Sequence, residues 1–295
     1  MSLSYKVHHT TRFAYPVPVQ VCHNIVCLTP RPNPQLEVQG TTLSITPQPT
    51  SVTQRSDTFG NITQTFSIEE PHSELVVEAK TDVRVSAPPM REAPGLAWEQ
   101  VVADVDAQTD PNWYEASPFR FGSSLVARDA AARDFAQGVF TPGRPIDEAA
   151  TALNALVHES FFYEPGATHV GTTSTEALHH RRGVCQDYAH AMLAALRTIG
   201  IPARYVSGYL RTIPPEGQPR LIGADQSHAW VGVYMGPAMG WVDLDPTNNM
   251  PTATDHIPLA IGRDYADIAP IRGAFLGGGN SRLVVSVDVE PIGGG

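Results

Sequence analysis

Cys185 occupies a position from which a thiol could act as a nucleophile. It begins a segment, residues 185–199, whose apolar residues recur with helical spacing, so we predict a helix that starts at this cysteine. The first turn of a helix carries unpaired backbone N–H groups and the positive end of the helix dipole, which favour a thiolate and an oxyanion formed beside it. Gly183 would let the backbone approach closely. A buried cysteine that only packs against this helix is the competing interpretation.

A predicted β-hairpin follows later in the chain. Residues 228–234 and 241–245 alternate as two strands around a glycine-containing turn. If Tyr234 lies opposite Trp241 in this hairpin, then Gly232 faces Asp243 and Trp230 faces Asp245.

This hairpin supplies groups that could activate the thiol. His228, Asp243 and Asp245 share one face, and Asp245 is the nearer carboxylate to the histidine. Alternation alone leaves Asp243 open, whereas the register favours Asp245. With Cys185, these residue types match the nucleophile, base and orienting carboxylate of a thiol enzyme.

Four further residues are candidates for the substrate or oxyanion side of the site. Gln186 and Asp187 lie beside the nucleophile, although Asp187 is equally suited to serve the helix dipole. Tyr163 precedes the cysteine helix, where an oxyanion-side donor could sit, and core packing is the alternative interpretation. Trp230 is expected to form a wall of the site, and core packing explains it equally well.

The elements that must position these residues fall into two predicted domains. Residues 3–86 read as short β-strands, and residues 87–95 are proline-rich and typical of a linker. Helical spacing begins at about residue 125, and strands return after residue 202, ending with 283–289. We therefore predict an all-β, sandwich-like domain over residues 1–95 and an α+β domain over residues 96–295, with helices first and an antiparallel sheet after them.

Composition excludes several classes of partner. The net charge of −10 argues against nucleic acid or an anionic membrane surface, and no run of apolar residues is long enough for a membrane span. Residues 1–11 carry no basic-then-apolar signal pattern, so we expect a cytoplasmic protein. Three cysteines are too few and too scattered for a disulfide framework. We also expect no metal and no cofactor, because calcium-loop patterns and histidines at ligand spacing are lacking.

Two segments resemble a known family. They are GVCQDYAHAMLAALRTIGIPARYVSGYL (residues 183–210) and SHAWVGVYMGPAMGWVDLDPTNN (residues 227–249), which closely resemble the bacterial transglutaminase-like family. The fold of that family is related to that of papain-type cysteine proteases. The β-rich first module, with its DTFGN turn at residues 57–61, resembles the N-terminal domain that accompanies this core in bacterial proteins.

The resemblance implies a papain/transglutaminase-like fold and a triad of Cys185, His228 and Asp245. It also implies an acyl-enzyme formed at an amide or isopeptide bond of a peptide or protein substrate. A peptidase or amidase would release the acyl group to water, whereas a protein-glutamine transamidase would release it to an amine. A non-catalytic module that binds a peptide or protein is the third hypothesis. The sequence does not determine the oligomeric state.

Overall fold

The computed structural model describes residues 2–88, 95–212 and 225–292 of the 295-residue chain. Most of the predicted linker, residues 89–94, therefore lies outside the described residues. Among the described residues, no helix is both long enough and apolar enough to cross a bilayer.

The described residues contain fourteen strands and six α-helices. In chain order the strands are β1 (Ser2–Thr29), β2 (Leu36–Thr46), β3 (Ser51–Ser56), β4 (Ile62–Ile68), β5 (His72–Ser86), β6 (Phe162–Tyr163), β7 (Arg182–Gly183), β8 (Ala203–Leu210), β9 (Gln226–Tyr234), β10 (Trp241–Asp245), β11 (Met250–Pro251), β12 (His256–Gly262), β13 (Ile271–Gly277) and β14 (Arg282–Ile292). The helices are α1 (Trp98–Asp106), α2 (Trp113–Ala116), α3 (Ala130–Gln137), α4 (Ile146–Ser160), α5 (Ser174–His180) and α6 (Cys185–Thr198).

The first sheet has seven strands, and five of them, β1 to β5, come from the region that alternation predicted to be β-rich. The long strand β1 is central. Over the same residues it pairs with β5 and with β14, so that Tyr5 lies opposite both Val83 and Pro291. The buried face of this sheet carries its own apolar core, which includes Tyr5, Phe66 and Val83.

The last two strands differ from the sequence-based expectation. Residues 283–289 were expected in the antiparallel sheet of the second domain, but β13 and β14 both pair with β1 in the first sheet. The pairing joins residues at opposite ends of the sequence, and alternation within a strand carries no information about such a distant partner. The predicted division at residue 95 therefore does not separate the two sheets.

The second sheet has five strands in the order β11-β10-β9-β8-β12. Trp241 lies opposite Tyr234 and Asp243 opposite Gly232, which is the predicted hairpin register. Helix α6 packs against β8 and β9, with α3, α4 and α5 around it. The α+β character of this part of the chain is confirmed.

Helix α6 lies within one residue of its predicted bounds. Gly200, at φ +93°, follows its last turn, as is common where helices end. Almost every residue of α6 is buried, because other helices and the sheet cover it on all sides. This burial makes α6 a rigid support for the cysteine at its start.

The DTFGN turn connects the two sheets. Asn61 is fully buried, and its side chain donates to the carbonyl oxygen of Ile261 at 2.7 Å and accepts from the N–H of the same residue at 2.9 Å. Asp57 closes the turn by accepting from the N–H groups of Phe59 and Asn61. The first sheet is thereby hydrogen-bonded to β12 of the second.

Candidate active site

Cys185 is the first residue of α6 and lines a cavity of about 660 Å³. The start of the helix is held by Asp187, whose Oδ2 accepts from the Val184 N–H and from the Thr168 hydroxyl, both at 2.7 Å. Gly183, at φ +152°, makes room for this carboxylate, since a Cβ there would collide with it. The thiol is therefore placed at the N-terminal end of a fixed helix, as predicted.

His228 lies on β9, which packs against α6. Its Nε2 is 2.7 Å from Asp245 Oδ2, so Nδ1 is the nitrogen left for Cys185. Burial by itself would lower the pKa of His228, but hydrogen bonds with Asp245 and Cys185 and the charges of both raise it to about 10. The imidazole is therefore a stable cation near neutral pH, placed between a sulfur and a carboxylate.

Asp245 is fully buried and accepts five hydrogen bonds. Its Oδ1 accepts from the backbone N–H groups of Thr247 and Asn248, and its Oδ2 accepts from Asn248 Nδ2, His228 and His256. Burial alone would raise the pKa of Asp245, but the hydrogen bonds from the two histidines and Asn248 hold it well below its usual range. The carboxylate is therefore ionised and fixed in orientation.

Asp243, the alternative carboxylate, serves a different group. Its Oδ2 accepts from Trp230 Nε1 at 3.0 Å, and its Oδ1 lies 3.5 Å from Arg204. Of the two aspartates on β10, it is Asp245 that contacts His228, in agreement with the register argument.

His256 was not among the predicted site residues. Its Nδ1 accepts from the Ala253 N–H at 3.2 Å, which leaves its proton on Nε2, 3.0 Å from Asp245 Oδ2. His228, Asp245 and His256 have ligand atoms within 4.8 Å of one another and could in principle hold a metal ion. However, both Nε2 atoms point at one carboxylate oxygen that also binds Asn248, so the arrangement fits a hydrogen-bond network better than a metal centre.

Two of the secondary candidates lie close to the thiol. Gln186 lines the cavity of Cys185, and its Nε2 donates to the carbonyl oxygen of Val170 at 3.0 Å, which ties that loop to α6. Tyr163 is exposed and lines a second cavity, of about 400 Å³, that reaches His228 from another direction. Burial and the charge of Cys185 raise the pKa of the Tyr163 hydroxyl, so it stays protonated and able to donate.

Neither Trp230 nor Asp187 lines the cavity of Cys185, where a substrate would bind. Trp230 is only 1% exposed and packs behind the histidines, with its ring centroid 6.1 Å from that of His228 and 5.4 Å from that of His256. It does not line the cavity of Cys185 and packs beside His228, which agrees with the core-packing alternative given for it. Asp187 caps α6, which is the second of its two predicted roles.

Comparison with known proteins agrees with this fold. The sequence model of the bacterial transglutaminase-like N-terminal region matches residues 5–84, and that of the transglutaminase-like superfamily matches residues 132–246. The chain belongs to the bacterial transglutaminase-like family. The resemblance found in residues 183–210 and 227–249 is thereby confirmed.

The relatives cover very different shares of this chain. An uncharacterized protein of Mycobacterium tuberculosis is 36% identical over 304 residues, which cover 98% of this chain and 93% of the relative. A protein-glutamine gamma-glutamyltransferase of Pseudomonas aeruginosa is 40% identical over 101 residues, which cover 33% of this chain and 15% of that relative. The crystal structure of a candidate cysteine protease from Cytophaga hutchinsonii has a TM-score of 0.78 at 19% identity and covers 100% of this chain and 92% of that one, so the fold is shared.

Proposed function

We propose that the protein is a thiol-nucleophile enzyme that cleaves amide bonds through an acyl-enzyme at Cys185. The observation that carries this proposal is His228, which is hydrogen-bonded to Asp245 and lines the same cavity as Cys185. Cys185 is the nucleophile, His228 is the acid and base, and Asp245 orients His228 and keeps it charged.

The first half-reaction forms a thioester. The Cys185 thiolate attacks the carbonyl carbon of the amide, so that a C–S bond forms and an electron pair moves to the oxygen. The backbone N–H of Cys185, at the start of α6, is the proposed donor to this oxyanion. The C–N bond then breaks, and the His228 imidazolium gives its proton to the departing amine.

The second half-reaction releases the acyl group to water. Neutral His228 takes a proton from a water molecule, whose oxygen attacks the thioester carbonyl. The C–S bond breaks and a carboxylic acid leaves. Cys185 returns as the thiolate and His228 as the imidazolium, so the cycle closes without an oxidant or a cofactor.

Trapping the thioester tests this proposal. Wild-type protein is mixed with a small library of peptide amides, and intact mass is followed over the first turnovers. We expect a mass increase equal to the acyl group on wild type but not on Cys185→Ala. Cys22→Ala is the control and should still gain this mass, because the thiol that it removes is buried in the first sheet. The proposal is overturned if Cys185→Ala forms as much adduct as wild type. It is also overturned if no donor gives an adduct on wild type and iodoacetamide leaves Cys185 unlabelled.

A second candidate function is transfer of the acyl group to a primary amine. The second cavity supports it, because its side chains (Tyr163, Leu210, Thr212, Thr247, Asn248) surround an approach to His228 separate from the cavity of Cys185. The relative named protein-glutamine gamma-glutamyltransferase adds to this support. Incorporation of a labelled amine into a glutamine-containing peptide would favour transfer, whereas release of ammonia and free acid alone would leave hydrolysis.

A further inference from the structure

The cavity of Cys185 is bounded by both sheets, and the first sheet supplies it with an apolar wall. This wall comes from β1, β13 and β14, with the side chains Phe13, Ile271, Leu283, Val285 and Val287. Apolar side chains of the second sheet and its helices complete the lining, among them Val170, Val184 and Ala229. The nucleophile therefore faces a chamber whose surface is mostly hydrocarbon.

Besides Cys185 and His228, the lining includes His9 and Asp225, and both are engaged within the framework. Burial lowers the pKa of His9 to about 4, so its ring is neutral near pH 7. The carboxylate of Asp225 accepts from the backbone N–H groups of Thr212 at 2.6 Å and Val289 at 2.8 Å. Among the described lining residues there is no lysine or arginine. The described side chains that β1, β13 and β14 contribute to the lining therefore carry no charge near neutral pH, so a charged substituent placed against these strands finds no counter-charge on them.

Several of the apolar lining residues are open to solvent. Val170, Leu283 and Val285 are all exposed and line the cavity that contains Cys185. Exposed apolar side chains gathered at a concave site indicate a surface that a ligand covers.

We propose that this cavity is the acyl-donor site and that it selects donors with an uncharged, apolar residue next to the reacting amide. Strand β14 contributes most of the side chains of the apolar wall and is therefore proposed to select the donor. This inference rests on the proposed thiol chemistry, because donor selection requires that Cys185 become acylated.

Neighbouring residues on β14 provide a matched pair of variants. Val284 and Val285 are 46% and 48% exposed, but they point to opposite faces of the strand, and only Val285 lines the cavity. Val285→Asp and Val285→Lys place a charge in the chamber, whereas Val284→Asp places the same charge on the other face at similar exposure.

The assay uses three peptide amides that differ only in the residue before the reacting amide, which is Leu, Asp or Lys. With wild type and Val284→Asp, we expect kcat/KM for the Leu donor to exceed that for the charged donors by about tenfold or more. Val285→Asp should lose most of this preference and shift toward the Lys donor, and Val285→Lys should shift toward the Asp donor. Partial unfolding would lower kcat/KM for all three donors, so it cannot make Val285→Asp and Val285→Lys prefer opposite charged donors.

An activated ester, p-nitrophenyl acetate, distinguishes failure of donor selection from failure of the thiol chemistry, because its acetyl group is too small to need the wall. If Cys185 is acylated by the ester and by all three peptides at equal rates, donor selection is refuted and the thiol chemistry stands. Donor selection is also refuted if Val284→Asp and Val285→Asp change the preference equally. If neither the ester nor any peptide acylates Cys185, both proposals fall.

Discussion

His256 Nε2 lies 3.0 Å from Asp245 Oδ2, on the same oxygen that binds His228. The orienting carboxylate therefore has a second imidazole partner, and this partner is itself fixed by the Ala253 N–H. His256 does not line the cavity of Cys185, so we treat it as a positioning residue.

Replacing His256 tests that role. His256→Phe keeps an aromatic ring against Trp230 but removes the donor to Asp245, so we expect kcat/KM to fall by about tenfold, as for the loss of one hydrogen bond to a charged group. His256→Gln retains an N–H donor and should recover part of the loss. Steady-state kinetics with one peptide amide provide the measurement. Equal losses in both variants would mean that the ring packs there without orienting Asp245.

The alkaline limit of activity should depend on Asp245. The pKa of His228 is raised from 6.5 to about 10, so the imidazolium is lost only as pH rises through about 10. Without the carboxylate, Asp245→Asn should lower this limit by one or more pH units and reduce kcat by roughly 10³- to 10⁴-fold. A pH profile of kcat/KM for both proteins measures the shift. An unchanged alkaline limit in the variant would show that another group sets it.

The same shift has a consequence for stability. The stabilisation that comes from the raised His228 pKa is fully present below about pH 6.5 and is lost as pH rises through about 10. We therefore expect the unfolding free energy of wild type to fall over that window more steeply than that of His228→Gln, as measured by urea unfolding at several pH values.

Gly183→Ala should displace the start of α6. The new Cβ would collide with the Asp187 carboxylate, and the backbone φ of +152° is unfavourable for alanine. We therefore expect the unfolding free energy to fall by more than about 3 kcal/mol and the alkylation of Cys185 to become slower. Gly143→Ala is the control, because Gly143 also has a positive φ but nothing lies within 4 Å of its Cβ position. It should cost about 1 kcal/mol. Similar losses in the two variants would contradict a specific role of Asp187.

Asn61→Ala should weaken the attachment of the first sheet to the second. The change leaves the backbone N–H and C=O of Ile261 without their buried partners, at a cost of about 2 to 4 kcal/mol. Gln64→Ala, on the adjoining strand, removes only a surface contact with Gln54 and should change the unfolding free energy by less than about 0.5 kcal/mol. Chemical denaturation of both variants measures the difference.

Local patterns were enough to predict the central part of the site. The helix that starts at Cys185 and the hairpin that carries His228 and Asp245 are both read from spacing within about twenty residues. Their packing against one another agrees with what the family resemblance implied. Strand register, which hairpin geometry sets locally, favoured Asp245 over Asp243, and the family resemblance chose Asp245 more firmly.

Features that depend on non-local pairing could not be predicted. His256 begins β12, which reaches the site only because β12 lies beside β8 at the far side of the sheet. Helix α1 was missed because its nine residues bury only two side chains, Val101 and Val105, which is too short a stripe to stand out. The sequence did not predict the apolar wall of the cavity of Cys185, because β13 and β14 join a sheet whose other strands are at the start of the sequence.

The pairing of Tyr5 with Pro291 sets an order of events during synthesis. Cys185, His228 and Asp245 are all synthesised before β14, so a nascent chain carries the proposed catalytic residues before it has the apolar wall that β14 contributes. Until β14 is added, β1 also presents a row of unpaired N–H and C=O groups along one side. If β14 selects the donor as proposed, a chain that ends before β14 would keep the proposed nucleophile but lose most of the apolar wall beside it.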